Sequence, residues 1–290
     1  MTDFCKILPK IAKNSIRLKE SGTKTSPLST RFGGDPMLPE DFSWPYYEGE
    51  TWDGQKAKRP LAFICQINLS EASVYDTDNL LPDHGILAVF YELATMKWGY
   101  DPEDRGCVRV YYFENTEKLV KTAPPSGIED MNGDTVIIPE FSADLSGEIN
   151  VPSVDEYNSD YRFWSDRLYD DYEKAASMLG ASTVEDPSVI HKLLGYANLL
   201  QDDILSQCEL VSRGYYLGDG EYRKKITAEE YEDALAHRDD WMLLLQLGTI
   251  GSNPDSEMMW GDMGCLYIMI RRSDLSNRDF SRIWLVLQCS

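Results

Sequence analysis

The pattern of hydrophobic and polar positions predicts a chain dominated by short buried strands. Continuous apolar runs at Leu61–Ile67 and Gly85–Leu93 are bounded by polar or turn residues, which is typical of buried strands. Further strand-like runs follow at Val108–Tyr112, Trp241–Leu247, Gly264–Arg271 and Ile283–Gln288. We expect an α+β fold of largely antiparallel sheets with flanking helices.

Three segments have helical spacing instead. The first 19 residues carry apolar side chains at positions 4, 7, 8, 11 and 12, which predicts a leading helix that Pro9 interrupts. Residues 159–179 repeat apolar side chains along one face, carry acids on the other, and end at Gly180. Thr227 and Glu230 form a capping-box pair, which predicts a third helix from Ala228 to about Arg238.

Two loop regions have distinctive residues. The segment Thr25–Pro45 is rich in glycine and proline, yet its aromatic side chains predict that it packs against the core. Asn132-Gly133 is a strong two-residue turn signal and predicts a hairpin near residues 131–141. A short helix is also expected between the last two strands, near Ser276 and Asp279.

Charge narrows the possible partners. The chain has 28 basic and 49 acidic residues, a formal net charge of −21, so its field repels phosphate backbones and anionic membranes. Nucleic acid and membrane are therefore not expected as partners. No apolar run reaches the ~20 residues that a membrane span needs. A basic protein or a small cationic ligand suits this charge.

The six cysteines show no close pair of the kind that holds a metal or a redox centre. Cys65 and Cys265 lie inside apolar runs and are most simply small buried residues. Reduced, scattered thiols indicate a reducing compartment, and we expect the cytoplasm. Neither a cofactor nor a metal site is expected from the sequence.

The two halves of the chain contain similar motifs in the same order. Phe32-Gly33 matches Leu194-Gly195 at an offset of 162, Gln66 matches Gln246 at 180, and Gly85 matches Gly264 at 179. The order predicts an internal duplication within one globular unit of residues 1–290. The first repeat spans about 26–118, an acidic helical insertion about 155–180, and the second repeat about 188–290.

A set of motifs in this order resembles the YwqG-like family, described as a widespread bacterial domain of unknown function. The resemblance covers nearly the whole chain and implies an α+β fold with two similar halves. The motifs that carry it are the stretches 31–36, 38–39, 44–45, 66–68, 81–82, 191–196, 244–246, 260–264 and 280–289, together with Gly85 and Gln201.

Gln66 and Gln246 are the most informative single residues, because each places an amide inside an apolar strand. Their amides either bond backbone groups or each other, or they orient a bound ligand. The loops around Gly33-Gly34 and Trp260-Gly261-Asp262 are either structural turns or places where backbone N–H groups meet an anion. Asp130, Asn132 and Asp134 imitate the start of a calcium loop but are better explained as a turn.

The three histidines offer few general bases. His237 is explained as a cation at a helix end, so His191 is the best remaining catalytic candidate beside the alternative of a structural histidine. The complete set of candidate ligand-binding residues is Arg31, Gly33, Gly34, Gln66, His191, Gln246, Trp260 and Asp262.

Two functions remain open. The leading hypothesis is a non-catalytic binding or regulatory protein, of the immunity type for example, whose acidic surface meets a basic partner. The alternative is an enzyme that acts on a small polar substrate in a cleft between the two halves, lined by Arg31, Gln66, His191, Gln246 and Asp262. The enzyme hypothesis requires these five side chains to converge.

Overall fold

A computed structural model describes residues 3–22, 26–154, 165–181, 186–251 and 257–289 of the chain. Its strands are β1 (Lys13–Ser21), β2 (Arg31–Phe32), β3 (Met37–Pro39), β4 (Tyr46–Glu50), β5 (Lys56–Pro60), β6 (Ala62–Asn68), β7 (Ile86–Tyr91), β8 (Val108–Phe113), β9 (Leu119–Lys121), β10 (Phe141–Asn150), β11 (His191–Leu193), β12 (Trp241–Leu247), β13 (Cys265–Arg271) and β14 (Trp284–Gln288).

Seven α-helices lie in the described ranges. They are α1 (Phe4–Ile11), α2 (Leu69–Ala72), α3 (Asp166–Leu179), α4 (Ile204–Ser212), α5 (Tyr222–Lys225), α6 (Ala228–His237) and α7 (Arg272–Ser276). Short 3-10 turns occur at Pro102–Asp104, Pro187–Val189, Arg238–Asp240 and Phe280–Arg282. The fold is α+β with a large antiparallel sheet, as expected, and this sheet is nearly barrel-shaped.

The large sheet has ten strands in the order β14-β13-β12-β11-β1-β10-β2-β6-β7-β8. The strands β1 and β10 form a long antiparallel ladder at its centre, with Lys19 opposite Asp144. On one side β1 pairs with β11, and on the other β10 pairs with β2. Two four-stranded units therefore flank the central ladder, one from each half of the chain.

The sheet curls strongly about this ladder. Strands β2 and β11 are separated by two strands, so a flat sheet would hold them roughly 14 Å apart. The rings of Phe32 on β2 and His191 on β11 nevertheless have centroids only 4.6 Å apart. Their side chains meet inside the curl, where Ile16 and Leu18 of β1 are also buried.

Different segments pack on the outer face of the sheet in the two halves. Over the first half, Phe42 and Trp44 of the proline-rich loop pack edge-on against Tyr111 and Phe90, so this loop covers the core as the sequence predicts. Over the second half, α4 contributes Ile204 and Cys208 to a separate apolar cluster with Trp241 and Tyr267.

Residues 92–107, here called the strap, connect β7 to β8 and bridge the two edges of the curled sheet. The carbonyl of Trp98 accepts a hydrogen bond from the N–H of Leu287 on β14 at 3.1 Å. The Gly99 carbonyl accepts from Trp284 Nε1 at 3.0 Å, and its N–H donates to Asp104 Oδ2 at 3.0 Å. The edge strands β8 and β14 are thus joined through the strap rather than by a ladder between them.

Several local predictions are confirmed. The Thr227–Glu230 capping box is present and opens α6, and the glycine at position 180 ends α3 in a left-handed conformation. The strands expected at 61–67, 85–93, 108–112, 241–247, 264–271 and 283–288 are all present within two residues of the expected ends. The start of the acidic helix, residues 159–164, lies outside the described residues.

Other local predictions need correction. The basic N-terminal segment contains only a short helix, α1, that includes Pro9, and then the unpredicted central strand β1. The expected hairpin near 131–141 is reduced to one bridge between Glu129 and Thr135, because Phe141 already belongs to β10. Helix α4, which Asp203 caps, was also missed. Between the last two strands, helix α7 ends at Ser276, and Asp279 caps a 3-10 turn.

No helix in the described part of the chain is long and apolar enough to cross a membrane.

The carboxyl of Asp104 in the strap is buried, with 8% exposure, and should make the stability of the fold depend on pH. Burial raises the pKa of Asp104 to about 6, although Lys97 and the Gly99 N–H act in the opposite direction. A raised pKa in the folded state means that stability falls as the pH rises from about 4 to about 6. We expect Asp104→Asn to raise the free energy of unfolding by about 1–2 kcal/mol at pH 7, and urea titration measures it.

The difference between this variant and the parent should shrink as the pH falls and largely disappear below about pH 3, where the unfolded and folded carboxyls are both protonated. A matched variant at an exposed acid of the same segment, Glu103→Gln, controls for the loss of one negative charge from the strap. The same difference between Asp104→Asn and the parent at about pH 3 and at pH 7 would contradict the assignment.

Candidate functional site

The two buried glutamines are bonded to backbone groups in parallel ways. Gln66 Oε1 accepts from the N–H of Met37 at 3.3 Å, and Nε2 donates to the carbonyls of Pro27 and Ser29, each at 2.9 Å. Both glutamine side chains are completely buried. In the second half, Gln246 Oε1 accepts from Asn198 N–H at 2.9 Å, and Nε2 donates to the Pro187 carbonyl at 3.5 Å. Each amide thereby holds the loops beside its strand.

Arg31 lies beside Gln66 and also bonds backbone carbonyls. Its guanidinium donates to the carbonyl of Pro27, which Gln66 shares, and to that of Asp35. Glu140 lies 3.9 Å from Arg31 Nε, at the edge of ion-pair distance. Burial lowers the pKa of Arg31, whereas Glu140 and Asp35 act in the opposite direction.

The glycine pair at positions 33 and 34 has no backbone N–H group left to bind an anion. Gly33 and Gly34 both have left-handed φ values, 58° and 70°. The N–H of Gly33 donates to the Ile64 carbonyl at 2.8 Å, and that of Gly34 donates to Ile138 at 2.9 Å. A Cβ at Gly33 would lie 2.1 Å from the Pro139 carbonyl oxygen, so this turn requires glycine. These contacts favour the structural alternative for the loop.

His191 lies on the inner side of the sheet beside an acid that the sequence analysis did not single out. Its Nε2 is 3.7 Å from Glu20 Oε1, and Glu20 accepts a hydrogen bond from the Gly251 N–H at 2.6 Å. Burial, followed by the charge of Arg17, lowers the pKa of His191 to about 4, although a hydrogen bond to the backbone of Thr249 acts in the opposite direction. Burial raises the pKa of Glu20. The imidazole is therefore neutral at pH 7.

The two remaining candidates lie apart from each other although they are close in sequence. Trp260 is fully buried, donates from Nε1 to the Gly248 carbonyl at 2.7 Å, and packs against Tyr91 at a centroid distance of 6.0 Å. Asp262 is exposed at the surface. The tight turn between them orders a core tryptophan.

The structure does not gather the five residues of the predicted cleft into one group. Arg31 and Gln66 share the Pro27 carbonyl, Gln246 bonds loops of the other half, and His191 faces the interior. A cavity beside the strap, between Gly99 and Trp284, has a volume of about 10 Å³, the space of a single water molecule. Within the described ranges, no cluster of three or more His, Cys, Asp or Glu residues could hold a metal ion.

Two other buried acids are engaged in structural ion pairs. Glu92 lies 2.9 Å from Arg59 and ties β7 to the β4–β5 hairpin. Glu209 on α4 lies 2.6 Å from Arg271 of β13 and accepts from Trp241 Nε1 at 2.9 Å. These contacts lower the pKa of Glu209 despite its burial. They explain how α4 is fixed to the sheet.

The outer surface of the second half carries many exposed carboxylates. Between residues 201 and 240 there are 11 acidic and 5 basic residues, and only Ala234 of α6 is buried. We call the exposed carboxylates of this stretch the acidic surface: Asp202, Asp203, Asp219, Glu221, Glu229, Glu230, Glu232, Asp233, Asp239 and Asp240. Ion pairs occupy some of them, such as Asp233 with Arg213 at 2.7 Å. Glu229 and Glu232 are in no ion pair of the described residues.

Comparison with known proteins identifies one family. The model described as Domain of unknown function (DUF1963) matches residues 30–289. No curated protein matches the chain.

The hydrogen bonds of the glutamines generate a prediction about stability. Gln66→Leu and Gln246→Leu should each lower the free energy of unfolding by about 1–3 kcal/mol, because a buried N–H and a buried carbonyl lose their partners. Urea titration at pH 7 measures the loss. Gln55→Leu, at an exposed hairpin position, is the control and should change stability by less than about 0.5 kcal/mol. Unchanged stability in both strand variants would contradict the structural role.

Proposed function

Because the chain belongs to the DUF1963 family, a domain of unknown function, we propose its role from its own surface: it is a non-catalytic protein that binds a basic protein partner. The observation that carries this proposal is the excess of 49 acidic over 28 basic residues, a net charge of −21. The resemblance to YwqG-like proteins is consistent with this membership and adds no activity to it.

Electrostatic and geometric arguments support the same choice. A surface with this excess of negative charge raises the association rate with a positive partner and disfavours anionic ones. The candidate residues of the interior are largely bonded to backbone groups, and the cleft that an enzyme would need is not assembled from them. Binding through an exposed surface requires no such convergence. This mode suits a regulatory or immunity protein, which acts by covering part of its partner.

The proposed partner surface is centred on α6. Its exposed Glu229 and Glu232 project from a helix that buries only Ala234, so a partner can approach them without displacing core residues. Asp239 and Asp240 continue the charge beyond the end of the helix. Their neighbours Arg213 and Arg238 are already engaged by Asp233 and Asp203.

We also place the chain in a reducing compartment such as the cytoplasm. All six cysteines are free thiols, and five of them are buried. Burial raises the pKa of Cys265 to about 12, so this thiol is unreactive at neutral pH.

We further infer that the two halves derive from an internal duplication. Each half has a bulge at the same place, between Phe63 and Cys65 and between Leu243 and Leu245. Gly33 N–H bonds the Ile64 carbonyl, and Leu194 N–H bonds that of Leu244 at 3.2 Å. Both donors begin a left-handed pair. This supports an offset of 161 between the loops, one less than the sequence match suggested.

In this duplication the first strand of each half has been exchanged. Strand β1 precedes the first unit yet pairs with β11 of the second, and β10 precedes the second unit yet pairs with β2 of the first. Helix α3 lies in the connection between β10 and β11, where the acidic insertion was expected. Each unit is therefore completed by a strand of the other.

The exchange predicts how a cut chain behaves. A protease site inserted between Pro125 and Ser126 can be cleaved after the full chain has folded. The two pieces should remain a 1:1 complex during gel filtration, because the β1–β10, β1–β11 and β2–β10 ladders cross the cut. Leu18→Asp in the same cut chain should release them, whereas Lys58→Asp in the outlying hairpin should not. Separation of the unmutated pieces in buffer would rule out the exchange.

The binding proposal is tested with a fluorescein-labelled deca-arginine peptide and fluorescence anisotropy. Glu229→Lys combined with Glu232→Lys should weaken binding at least fivefold at 20 mM salt, and 300 mM salt should weaken binding to the parent chain because ions screen the charges. Glu117→Lys with Glu129→Lys is the control, since it makes the same change of charge at exposed positions of the other half. Equal weakening by both pairs would reject the α6 surface, and no binding by the parent would reject the proposal.

A further inference from the structure

The exposed aromatic side chain of Trp52 stands out from the rest of the surface. Trp52 is 67% exposed at the tip of the β4–β5 hairpin, while Trp241, Trp260 and Trp284 are all buried. Tryptophan is the side chain most enriched among residues that dominate binding energy at protein interfaces. Its exposure here therefore needs a physical explanation.

The position of the Trp52 ring is set by a hydrogen bond. Nε1 donates to the Ala94 carbonyl of the strap at 3.1 Å. The turn behind it is closed by the Thr51 hydroxyl, which donates to the Gln55 carbonyl at 2.8 Å. A ring held by its edge keeps its face available, and little conformational freedom remains to be lost when a partner binds.

Acidic and basic side chains both flank this face, since Lys56 lies opposite Glu50 in the hairpin and β5 also carries Lys58 and Arg59. Asp53 follows Trp52 directly, and Glu50 precedes it by two residues. Glu103 on the strap is 75% exposed, and Lys56 lies 3.8 Å from it. The face of an indole ring carries the negative part of its quadrupole and attracts ammonium and guanidinium groups.

The strap joins this face to the acidic surface of the second half. The Leu217 N–H donates to the Tyr100 carbonyl of the strap at 2.9 Å. Gln288 Nε2 donates to the Asp202 carbonyl at 2.8 Å, and the N–H of the neighbouring Leu287 donates to the Trp98 carbonyl of the strap, so Asp202 lies close to the strap. Asp101 and Glu103 follow Tyr100 on the strap, and the ammonium of Lys56 in the hairpin lies 3.8 Å from Glu103. An aromatic face and acidic groups therefore border one continuous segment.

We propose that Trp52 is the anchor at which the basic partner docks, with an arginine or lysine side chain of that partner over the indole ring. This inference rests on the proposed binding function and names its contact point. The partner's neighbouring cations then meet Asp53 and Glu103, the exposed acid of the strap. The ring orients the partner's cationic side chain, and the carboxylates attract the partner through their charge.

Substitution of Trp52 tests the anchor with the labelled deca-arginine peptide at 20 and 150 mM salt. Trp52→Ala and Trp52→Leu should both weaken binding about three- to tenfold, because leucine keeps apolar area but has no π face. Trp52→Phe should retain more affinity than either. Met178→Ala is the control, since Met178 is 80% exposed on α3 and should leave binding unchanged.

The outcomes separate the two proposals. If the parent chain binds the peptide and all three Trp52 variants bind it equally well, the anchor is wrong while the acidic surface stands. If Trp52→Leu binds as tightly as the parent but Trp52→Ala does not, the contact is apolar and the proposed cation is wrong. If the parent does not bind, the binding function fails and the anchor fails with it. Circular dichroism confirms that the exposed substitutions leave the fold unchanged.

Discussion

The antiparallel ladder between β1 and β10 is the constraint on which the rest of the structure depends. Each strand carries a row of N–H and carbonyl groups on both edges, and buried groups of this kind must be paired. The β1 ladder satisfies one edge with β10 and the other with β11, while β10 uses β2. Both four-stranded units are joined through these two strands, so the curl and the interior follow from them.

The curl determines which polar residues lie inside. Arg31 and Gln66 neighbour apolar residues along their strands, and alternation sends them to the face opposite Phe32 and Cys65. There they hold the loops that cover the sheet. His191 follows the opposite parity and meets Phe32 in the interior. The polar side chains that the enzyme hypothesis placed in one cleft are therefore distributed over two faces of the sheet, and most of them bond backbone groups.

The groups that a binding role requires lie on the outer surface, because the polar residues of the interior hold the loops. Buried acids such as Glu92 and Glu209 have arginine partners, whereas Glu229 and Glu232 of α6 remain in solvent. Charge at the surface acts over distances of about a Debye length, and an aromatic side chain gives such a surface a point of orientation. A binding role uses both features and leaves the core as it is.

The sequence by itself determined the features whose causes are local. The capping box at Thr227, the glycine stop at 180, the buried runs around Gln66 and Gln246 and the excess of acids all depend on residues a few positions apart or on composition alone. Only the tertiary structure decided that residues 13–21 and 141–150 are the central strands, that Glu20 meets His191, and that the strap holds Trp52. Strand β1 has only Ile16 and Leu18 as its buried apolar residues among charged neighbours, and its partners lie more than a hundred residues away. Such pairing is a property of the assembled sheet and leaves almost no local signal.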